Sequence, residues 1–263
     1  MSFLGLSAKD ALLSWNLFKM SLRDRYMGSA LGTFWAVLTP LCMLGMYTFI
    51  FGFIFKAKVP GAETTLAYAI WLISGLVPYQ AFSEGVNATA NSVIGGANMI
   101  KNIAFNAETL VVAASLLSLV SFGVGMAFLL VLSVCAGNWP TWHIIFLCLV
   151  IPLQLLLITG LGLFLSAFAV FVRDTIQILP TLLMFLMFFT PIFYAKSMMP
   201  DIAAQLTFFN PLFQLTDAYR RILLDHAAPD LFGLAYLAVL CAGLNLLGLL
   251  FFRRLKGFFE TAL

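Results

Sequence analysis

The chain has 263 residues, of which 62% are hydrophobic and only 10% are charged, and its mean hydropathy is +1.03. A soluble domain carries roughly a quarter charged residues, so this composition predicts an integral membrane protein. The formal net charge of +3 is too small to indicate a nucleic-acid-binding protein. The apolar runs lack a period-2 alternation, which predicts α-helices and not an outer-membrane barrel.

The N-terminal residues 7–25 are expected to form an amphipathic helix that lies in the membrane surface. Wound as a helix, they place the polar residues on one strip and the apolar residues on a separate face. The polar strip holds Lys9, Asn16, Lys19 and Arg23, and the apolar face holds Ala11, Trp15, Phe18 and Leu22. Charges continue to Arg25 and the apolar run that follows is long, which argues against a signal peptide.

Charge-free runs predict six transmembrane helices, since about 20 apolar residues cross a bilayer. The 64 residues from Thr109 to Val172 contain no Asp, Glu, Lys or Arg, which is enough for two spans separated by a turn at Gly137–Pro140. The runs are residues 26–55, residues 64–83, the two spans within 109–172, residues 175–195 and residues 231–252.

Two connecting segments are distinctive. Residues 85–107 are polar and rich in Gly and Asn, and we expect a loop with some helix. Residues 196–229 contain two apolar stretches that are too short to span, and they predict two short re-entrant helices that dip into the outer leaflet. Asn210 can cap the second of these and Pro211 can start it. The alternative for this segment is a surface cap.

The distribution of Lys and Arg indicates the orientation. With the N-terminus inside, nine of these residues lie in cytoplasmic segments and five lie outside, which favours cytoplasmic N- and C-termini. The cytoplasmic set is Lys9, Lys19, Arg23, Arg25, Lys101, Arg173, Arg253, Arg254 and Lys256. The four cysteines are far apart and form no C-x-x-C motif, so we read them as small core residues.

Ion-coupled carriers and pumps are disfavoured. The two halves show no internal repeat, as inverted-repeat carriers would. Apart from Glu84 and Glu108 at the ends of spans, no ionisable residue lies deep in an apolar run, although ion relays need such groups. The energy for any transport is therefore expected to come from another protein.

Three blocks of sequence resemble one family, the permease subunits of type-2 ABC transporters that export polysaccharides, and most of all the Wzm-type O-antigen permeases. The first block runs from Arg25 to Trp35 and on through Pro40-Leu41. The second is Phe171-Val-Arg-Asp174 followed by Thr190-Pro-Ile-Phe-Tyr194. The third is Asn210-Pro-Leu212 with Tyr219-Arg220 after it. The blocks are spread over residues 23–220 in the order found in that family, so the resemblance covers most of the chain.

The resemblance implies a single transmembrane domain over residues 1–263, in a homodimer that encloses a channel in the bacterial inner membrane. It also implies two copies of a separate ATPase, which would use ATP and Mg²⁺; this chain would bind no cofactor. The chain has no G-x-x-x-x-G-K-[ST] motif and so is not expected to be an enzyme. The family's coupling helix maps to about 91–106, with its contacts at Asn98, Ile100, Lys101 and Phe105. The helix at 7–25 resembles the family's second ATPase contact.

The substrate of the family is a glycan carried on a polyprenyl pyrophosphate, and aromatic side chains can stack on sugar rings as a polymer slides past. Ordinary packing or an interfacial aromatic belt is the alternative for any one of these aromatics. Arg220 has two candidate partners, the glycan and Asp217 one turn before it. The candidate channel residues are Phe34, Trp35, Tyr47, Phe193, Tyr194, Tyr219 and Arg220.

Arg23 and Arg25 are candidates for holding the pyrophosphate at the cytoplasmic entrance, because arginine offers paired donors to phosphate. The alternative role of these two residues is in positive-inside topology and contact with anionic lipid headgroups. Arg173 and Asp174 are adjacent at a span end, and we interpret them as a structural pair.

Other functions stay open from the sequence. Within transport, the cargo could be teichoic acid, capsule polysaccharide, a drug or a small lipid. A lipid-linked glycosyl or acyl transferase would need a supported carboxylate or histidine at the interface. Glu84, Glu108 and Asp174 have no supporting groups in the sequence, and His143 and His226 stand alone. We therefore predict no catalytic residues and no metal site.

Overall fold

The computed structural model describes residues 8–25, 31–56, 58–62, 64–102 and 105–262. Apart from one isolated β-bridge between Val59 and Ala62, the secondary structure of these residues is helical. The all-α class is therefore confirmed. Residue 7 of the expected interfacial helix, residues 26–30 of the first apolar run and residues 103–104 of the coupling segment lie outside the described residues.

Eleven α-helices are described. They are α1 (Ala8–Asp24), α2 (Trp35–Thr48), α3 (Thr65–Gly95), α4 (Ala97–Asn102), α5 (Glu108–Cys135), α6 (Leu147–Phe171), α7 (Asp174–Phe189), α8 (Asp201–Leu206), α9 (Pro211–Leu223), α10 (Leu231–Lys256) and α11 (Phe259–Ala262). A π-helical turn, Phe49–Ile54, continues α2, and a 3₁₀ turn, Trp142–Phe146, precedes α6.

Within the described residues, five helical segments are long and apolar enough to cross a bilayer, against the six that the sequence predicts. They are Trp35–Ile54, Thr65–Asn102, Glu108–Cys135, Trp142–Phe171 and Leu231–Lys256. The chain is thus a multi-pass membrane protein. The apolar helix α7 has 16 residues, fewer than the about 20 that a helical crossing needs. It ends at Phe189 because Pro191 disfavours the helical conformation at Thr190, which is extended.

Helix α3 forms the centre of the fold, packing on α2, α5, α6, α7 and α9. It continues to Gly95, so residues 85–95, which we expected to begin a loop, are helical. Asn87 and Asn91 donate from their side chains to carbonyls one turn earlier, while Val86, Ala90 and Val93 are buried. Polar residues thus cover one face of a continuing helix.

The segment 196–229 contains the two short helices that the sequence predicts, α8 and α9. The side chain of Asn210 accepts hydrogen bonds from the backbone N–H groups of Leu212 and Phe213, and Pro211 is the first residue of α9. The capping prediction is confirmed. One side of α9 is buried, with Leu215 and Tyr219 almost inaccessible.

One end of the molecule gathers α1, α4, the start of α5, the end of α10 and α11. Leu17 of α1 packs on Leu110 at the start of α5. Glu108 forms ion pairs with Arg253 and Lys256, at 3.1 and 3.2 Å. The surface that α1 buries is centred on Leu17, whereas Trp15 of the expected apolar face is 47% exposed. We refer to this part of the molecule as the α4 end.

Candidate functional site

A cavity of about 640 Å³ lies between α2, α3, α5 and α7. Its volume is in the range of small-molecule sites. Its lining combines a polar end with an apolar wall. The lining residues are Arg25, Trp35, Ala36, Thr39, Pro40, Met43, Tyr47, Tyr79, Gln80, Ser83, Glu84, Asn87, Ser121, Pro180, Met184 and Met187.

The polar end is organised around the carboxylate of Glu84. One oxygen of this carboxylate accepts from the guanidinium of Arg25, and the other accepts from the hydroxyl of Ser121. The Arg25 side chain is 44% exposed and that of Glu84 is 21% exposed, so the ion pair lies at an open edge. Three separate parts of the chain therefore meet here: the end of α1, the middle of α3 and α5.

The position of Glu84 along α3 indicates its depth in the membrane. It lies 19 residues after the first residue of α3, which is about 29 Å along the helix axis. That distance is close to the thickness of the hydrocarbon core. An aqueous or headgroup environment is therefore within reach of Glu84, provided that α3 enters the bilayer near Thr65.

The apolar wall consists of aromatic and methionine side chains. Trp35 is 41% exposed, and Tyr47 packs on Phe193 with ring centroids 5.6 Å apart. The hydroxyl of Tyr79 donates to the carbonyl of Leu183, which ties α3 to α7. Methionine adapts its shape to varied apolar surfaces, so the three methionines allow this wall to accommodate ligands of irregular shape.

A second polar cluster is buried on the far side of the molecule from the α4 end and is centred on Arg220 of α9. Its guanidinium donates to the carbonyls of Pro191 and Ile192, at 2.9 and 3.0 Å, in the chain that follows α7. The guanidinium carbon also lies 3.7 Å from the centre of the Trp71 ring. Burial lowers the pKa of Arg220 to about 10, so it stays charged at neutral pH.

The space for this guanidinium depends on Gly75. A Cβ atom at that position would lie 2.6 Å from a terminal nitrogen of Arg220. The absence of a side chain therefore allows the cation to approach the backbone of α3. The neighbouring Tyr219 donates to the side-chain oxygen of Gln154 at 2.7 Å, and Gln154 donates to the carbonyl of Pro78 at 2.9 Å.

Arg220 does not form an ion pair with Asp217, which was one of its two candidate partners. Asp217 forms its ion pair with Arg221, at 3.7 Å, on the more exposed side of α9. Arg220 instead binds backbone carbonyls, because it points into the protein, where the irregular chain after α7 presents acceptors.

The candidate channel residues lie in different environments. Trp35 and Tyr47 line the cavity. Phe193 and Tyr219 are buried in the core of this chain, as is Arg220. Phe34 is 56% exposed. Tyr194 is half-buried and donates its hydroxyl to the carbonyl of Phe188.

The two candidate entry arginines are also separated. Arg25 lines the cavity, whereas Arg23 is exposed in the last turn of α1 and does not contribute to the lining. The sequence did not indicate that three residues of the polar end belong to one site. These residues are Glu84, Ser121 and Asn87. Glu84 carried the one sequence signal, as an acidic residue at the end of an apolar run.

The coupling candidates divide into two groups. Asn98 and Lys101 are exposed on α4. Ile100 packs between the apolar cluster around Leu17 and the one around Phe252, and Phe105 packs on the Leu17 cluster. The side chain of Asn106 donates to Asp10 at 3.0 Å, which joins this loop to α1.

The two histidines are not isolated, contrary to the sequence analysis. The hydroxyl oxygen of Thr141 lies 3.1 Å from Nδ1 of His143 and 3.3 Å from Nδ1 of His226. His226 Nε2 is 2.6 Å from the Asn138 side-chain oxygen. Residues 83 positions apart meet here because the fold brings the α5–α6 and α9–α10 connections together. Among the described residues, no group of three His, Cys, Asp or Glu side chains is arranged to hold a metal.

Comparisons with known proteins match between about four-fifths and nine-tenths of the chain. The family model described as ABC-2 type transporter matches residues 13–224. The chain is 29% identical over 217 residues to the O-antigen export system permease protein RfbA of Myxococcus xanthus, covering 82% of this chain and 81% of the relative. It is 26% identical over 242 residues to RfbA of Klebsiella pneumoniae, covering 89% and 88%.

A relative named for a different cargo matches over a similar length. The polysialic acid transport protein KpsM of Escherichia coli is 24% identical over 242 residues, covering 90% of this chain and 91% of the relative.

Proposed function

This chain belongs to the ABC-2 type transporter family, and on that premise we propose that it is the membrane-spanning channel subunit of an ATP-driven exporter. The proposed cargo is a polysaccharide linked to a polyprenyl pyrophosphate, of the O-antigen type, carried from the cytoplasm to the periplasm. The observation that carries the proposal is the likeness to permeases named for O-antigen export over more than four-fifths of the chain.

The cavity supports this proposal. Its aromatic wall offers Trp35, Tyr47 and Tyr79 to the apolar faces of sugar rings or to a prenyl chain, while its polar end carries an arginine. Aromatic surfaces hold such groups by contact area and allow them to slide. Phosphate binds well to the paired donors of a guanidinium.

We propose that the chain crosses the bacterial inner membrane six times, with both termini in the cytoplasm. The crossing beyond the five long helical segments is α7 together with the irregular residues 190–194. The α4 end gathers Lys101, Arg253 and Lys256 together with the basic helix α1, which supports a cytoplasmic location for that end. The segment with α8 and α9 then lies at the periplasmic side.

The proposed partners are a second copy of this chain and two copies of an ATPase subunit. Asn98 and Lys101 are exposed at the α4 end and are proposed to contact the ATPase, while Ile100 and Phe105 hold α4 and its loop against α1 and α5. Asn106, hydrogen-bonded to Asp10, couples the loop to α1. Motion of the ATPase would thus reach α1 and α4 together.

Capsule polysaccharide is the second candidate cargo, supported by the 24% identity to KpsM over 90% of the chain. The O-antigen assignment is preferred because the identity to the RfbA proteins is somewhat higher, at 26–29%.

The test is a strain in which the gene is deleted, with and without a plasmid copy. We expect long lipid-linked polymer to accumulate on the cytoplasmic face while synthesis continues, and the plasmid to restore surface polysaccharide. Analysis of the sugars then identifies the cargo. Complete loss of the polymer would support a transferase, and unchanged surface polysaccharide would mean a different cargo, such as a drug or small lipid.

A further inference from the structure

The anionic group at the polar end of the cavity is a side chain of the protein, the carboxylate of Glu84. The two oxygens of Glu84 accept from Arg25 on one side and from Ser121 on the other. A phosphate oxygen would use the same two donors. Arg25 is the one cationic side chain among the described residues that line the cavity, so an anionic ligand has to compete with Glu84 for it.

An anionic ligand can displace the Glu84 carboxylate from Arg25. An ion pair with partners 44% and 21% exposed is weak, because water and salt screen the charges. A diphosphate offers more charge and more acceptor oxygens than a carboxylate, and arginine can bind it through two N–H groups at once. Glu84 therefore raises the affinity that an anion needs without blocking the site.

The rest of the cavity specifies the other part of the ligand. Beyond the polar end, the wall is formed by aromatic residues, methionines and prolines, including Trp35, Tyr79 and Met184. A free phosphate ion would leave this surface without a partner. A ligand with a diphosphate at one end and an apolar or ring-bearing portion at the other would cover both regions within about 640 Å³.

We propose that Glu84 is an internal stand-in for the substrate's diphosphate: it occupies Arg25 and Ser121 at the polar end of the cavity, and the diphosphate of a prenyl-linked glycan displaces it. This inference rests on the proposed function for the identity of the ligand. It assigns to Glu84 a role in selectivity, since a weaker anion does not displace the carboxylate from Arg25.

The test measures binding of farnesyl diphosphate to the purified full-length chain in phosphatidylcholine nanodiscs. We expect Glu84→Gln to bind this probe up to about fivefold more tightly, because the competing charge is gone. We expect Arg25→Gln to bind at least about tenfold more weakly, because the cation is gone. Asp217→Asn, which removes the partner of Arg221 outside the cavity, is the matched control and should leave binding unchanged.

A double variant separates competition from a change in shape. In the Arg25→Gln background, Glu84→Gln should improve binding much less than it does alone, because there is no shared cation to release. Equal improvement in both backgrounds would overturn the proposal, and so would weaker binding by Glu84→Gln alone. Ser121→Ala, which keeps both charges, should weaken binding by less than Arg25→Gln does.

Phosphatidylglycerol distinguishes the two sources of a phosphate ligand. Nanodiscs that contain it should compete with farnesyl diphosphate only weakly, since its phosphodiester carries a single charge. Competition at equal concentration would show a general site for anionic lipids and would overturn the diphosphate assignment.

The deletion strain keeps this proposal separate from the proposed function. If deletion traps polymer inside the cell but the Glu84 and Arg25 variants bind farnesyl diphosphate as the unaltered chain does, the stand-in role fails and the exporter function stands. If the variants shift binding as expected but deletion leaves surface polysaccharide unchanged, the diphosphate site stands and the exporter function fails.

Discussion

Arg25 and Arg220 both lie beside membrane-spanning helices, and both were candidates for contact with the substrate. Arg25 is 44% exposed in its side chain and pairs with a carboxylate that also borders a cavity. Arg220 is 8% exposed and pairs with two backbone carbonyls and the face of Trp71. Carbonyls of the main chain cannot swing away, whereas a side-chain carboxylate can. Arg220 is therefore suited to hold the fold, and Arg25 is suited to exchange partners.

The largest expected effect comes from removing the buried cation. Arg220→Gln should destabilise the chain by about 2–5 kcal/mol, because the carbonyls of Pro191 and Ile192 lose charged donors in a place that water does not reach. Tryptophan fluorescence during an SDS titration of the purified chain measures this loss. Arg221→Gln, at the neighbouring exposed position, should cost less than about 1 kcal/mol. Equal losses for the two variants would contradict the contrast between a buried and an exposed arginine.

Filling the space beside the cation should have the next effect. Gly75→Ala places a methyl group 2.6 Å from a terminal nitrogen of Arg220, and we expect a cost of about 1–3 kcal/mol despite the better helix propensity of alanine. Gly123→Ala in α5 is the matched control, because nothing lies within 4 Å of its Cβ position. That control should stabilise the chain by about 0.5–1 kcal/mol. The same titration reads both, and a stabilising Gly75→Ala would show that Arg220 does not need this space.

A smaller effect is expected at the hydroxyl next to Arg220. Tyr219→Phe removes the 2.7 Å hydrogen bond to Gln154 inside the core, which should cost about 1–2 kcal/mol. Tyr236→Phe removes a hydrogen bond of the same length to the Phe209 carbonyl at an exposed site, so its cost should be lower. If the two costs were the same, burial would not be what gives the Tyr219–Gln154 bond its value.

The smallest change in stability is expected at the cavity. Arg25→Gln and Glu84→Gln should each alter the free energy of unfolding by no more than about 1 kcal/mol, because the pair is partly exposed. The same variants are the ones expected to shift diphosphate binding. A large loss of stability on breaking this pair would place Arg25 with Arg220, as a residue that holds the fold.

The sequence allowed much of the fold to be predicted, because hydropathy and helix caps are local signals. The apolar runs predict where the long helices lie, and Asn210-Pro211 predicts the start of α9. The prediction of a loop with some helix understated the helix at residues 85–95, because a polar stretch was interpreted as the end of the apolar helix. An apolar run ends where the helix leaves the bilayer, whereas the helix itself ends only where its backbone hydrogen bonds stop. In α3 they continue to Gly95.

The candidate site was less predictable, since its members are brought together only by the fold. Arg25 was a candidate on charge, and Trp35 and Tyr47 on aromatic character, but nothing local to Glu84 or Ser121 indicates that they share a partner. The same holds for His143 and His226, which meet at Thr141. Arg220 shows the converse: its charge suggested contact with substrate, whereas the irregular backbone after α7 supplies its partners.

The length of α3 has a mechanical consequence. Its 31 residues form a rod of about 46 Å, and α4 follows it after a single residue, Gly96. A tilt of about 5° around the middle of such a rod would shift each end by about 2 Å in opposite directions. Glu84 and Gly75 lie four and five residues from that middle, on opposite sides, so each would shift by well under about 1 Å. A push on α4 would therefore be reduced about three- to fourfold at the cavity and at the contact with Arg220, so the α4 end could move substantially without breaking either.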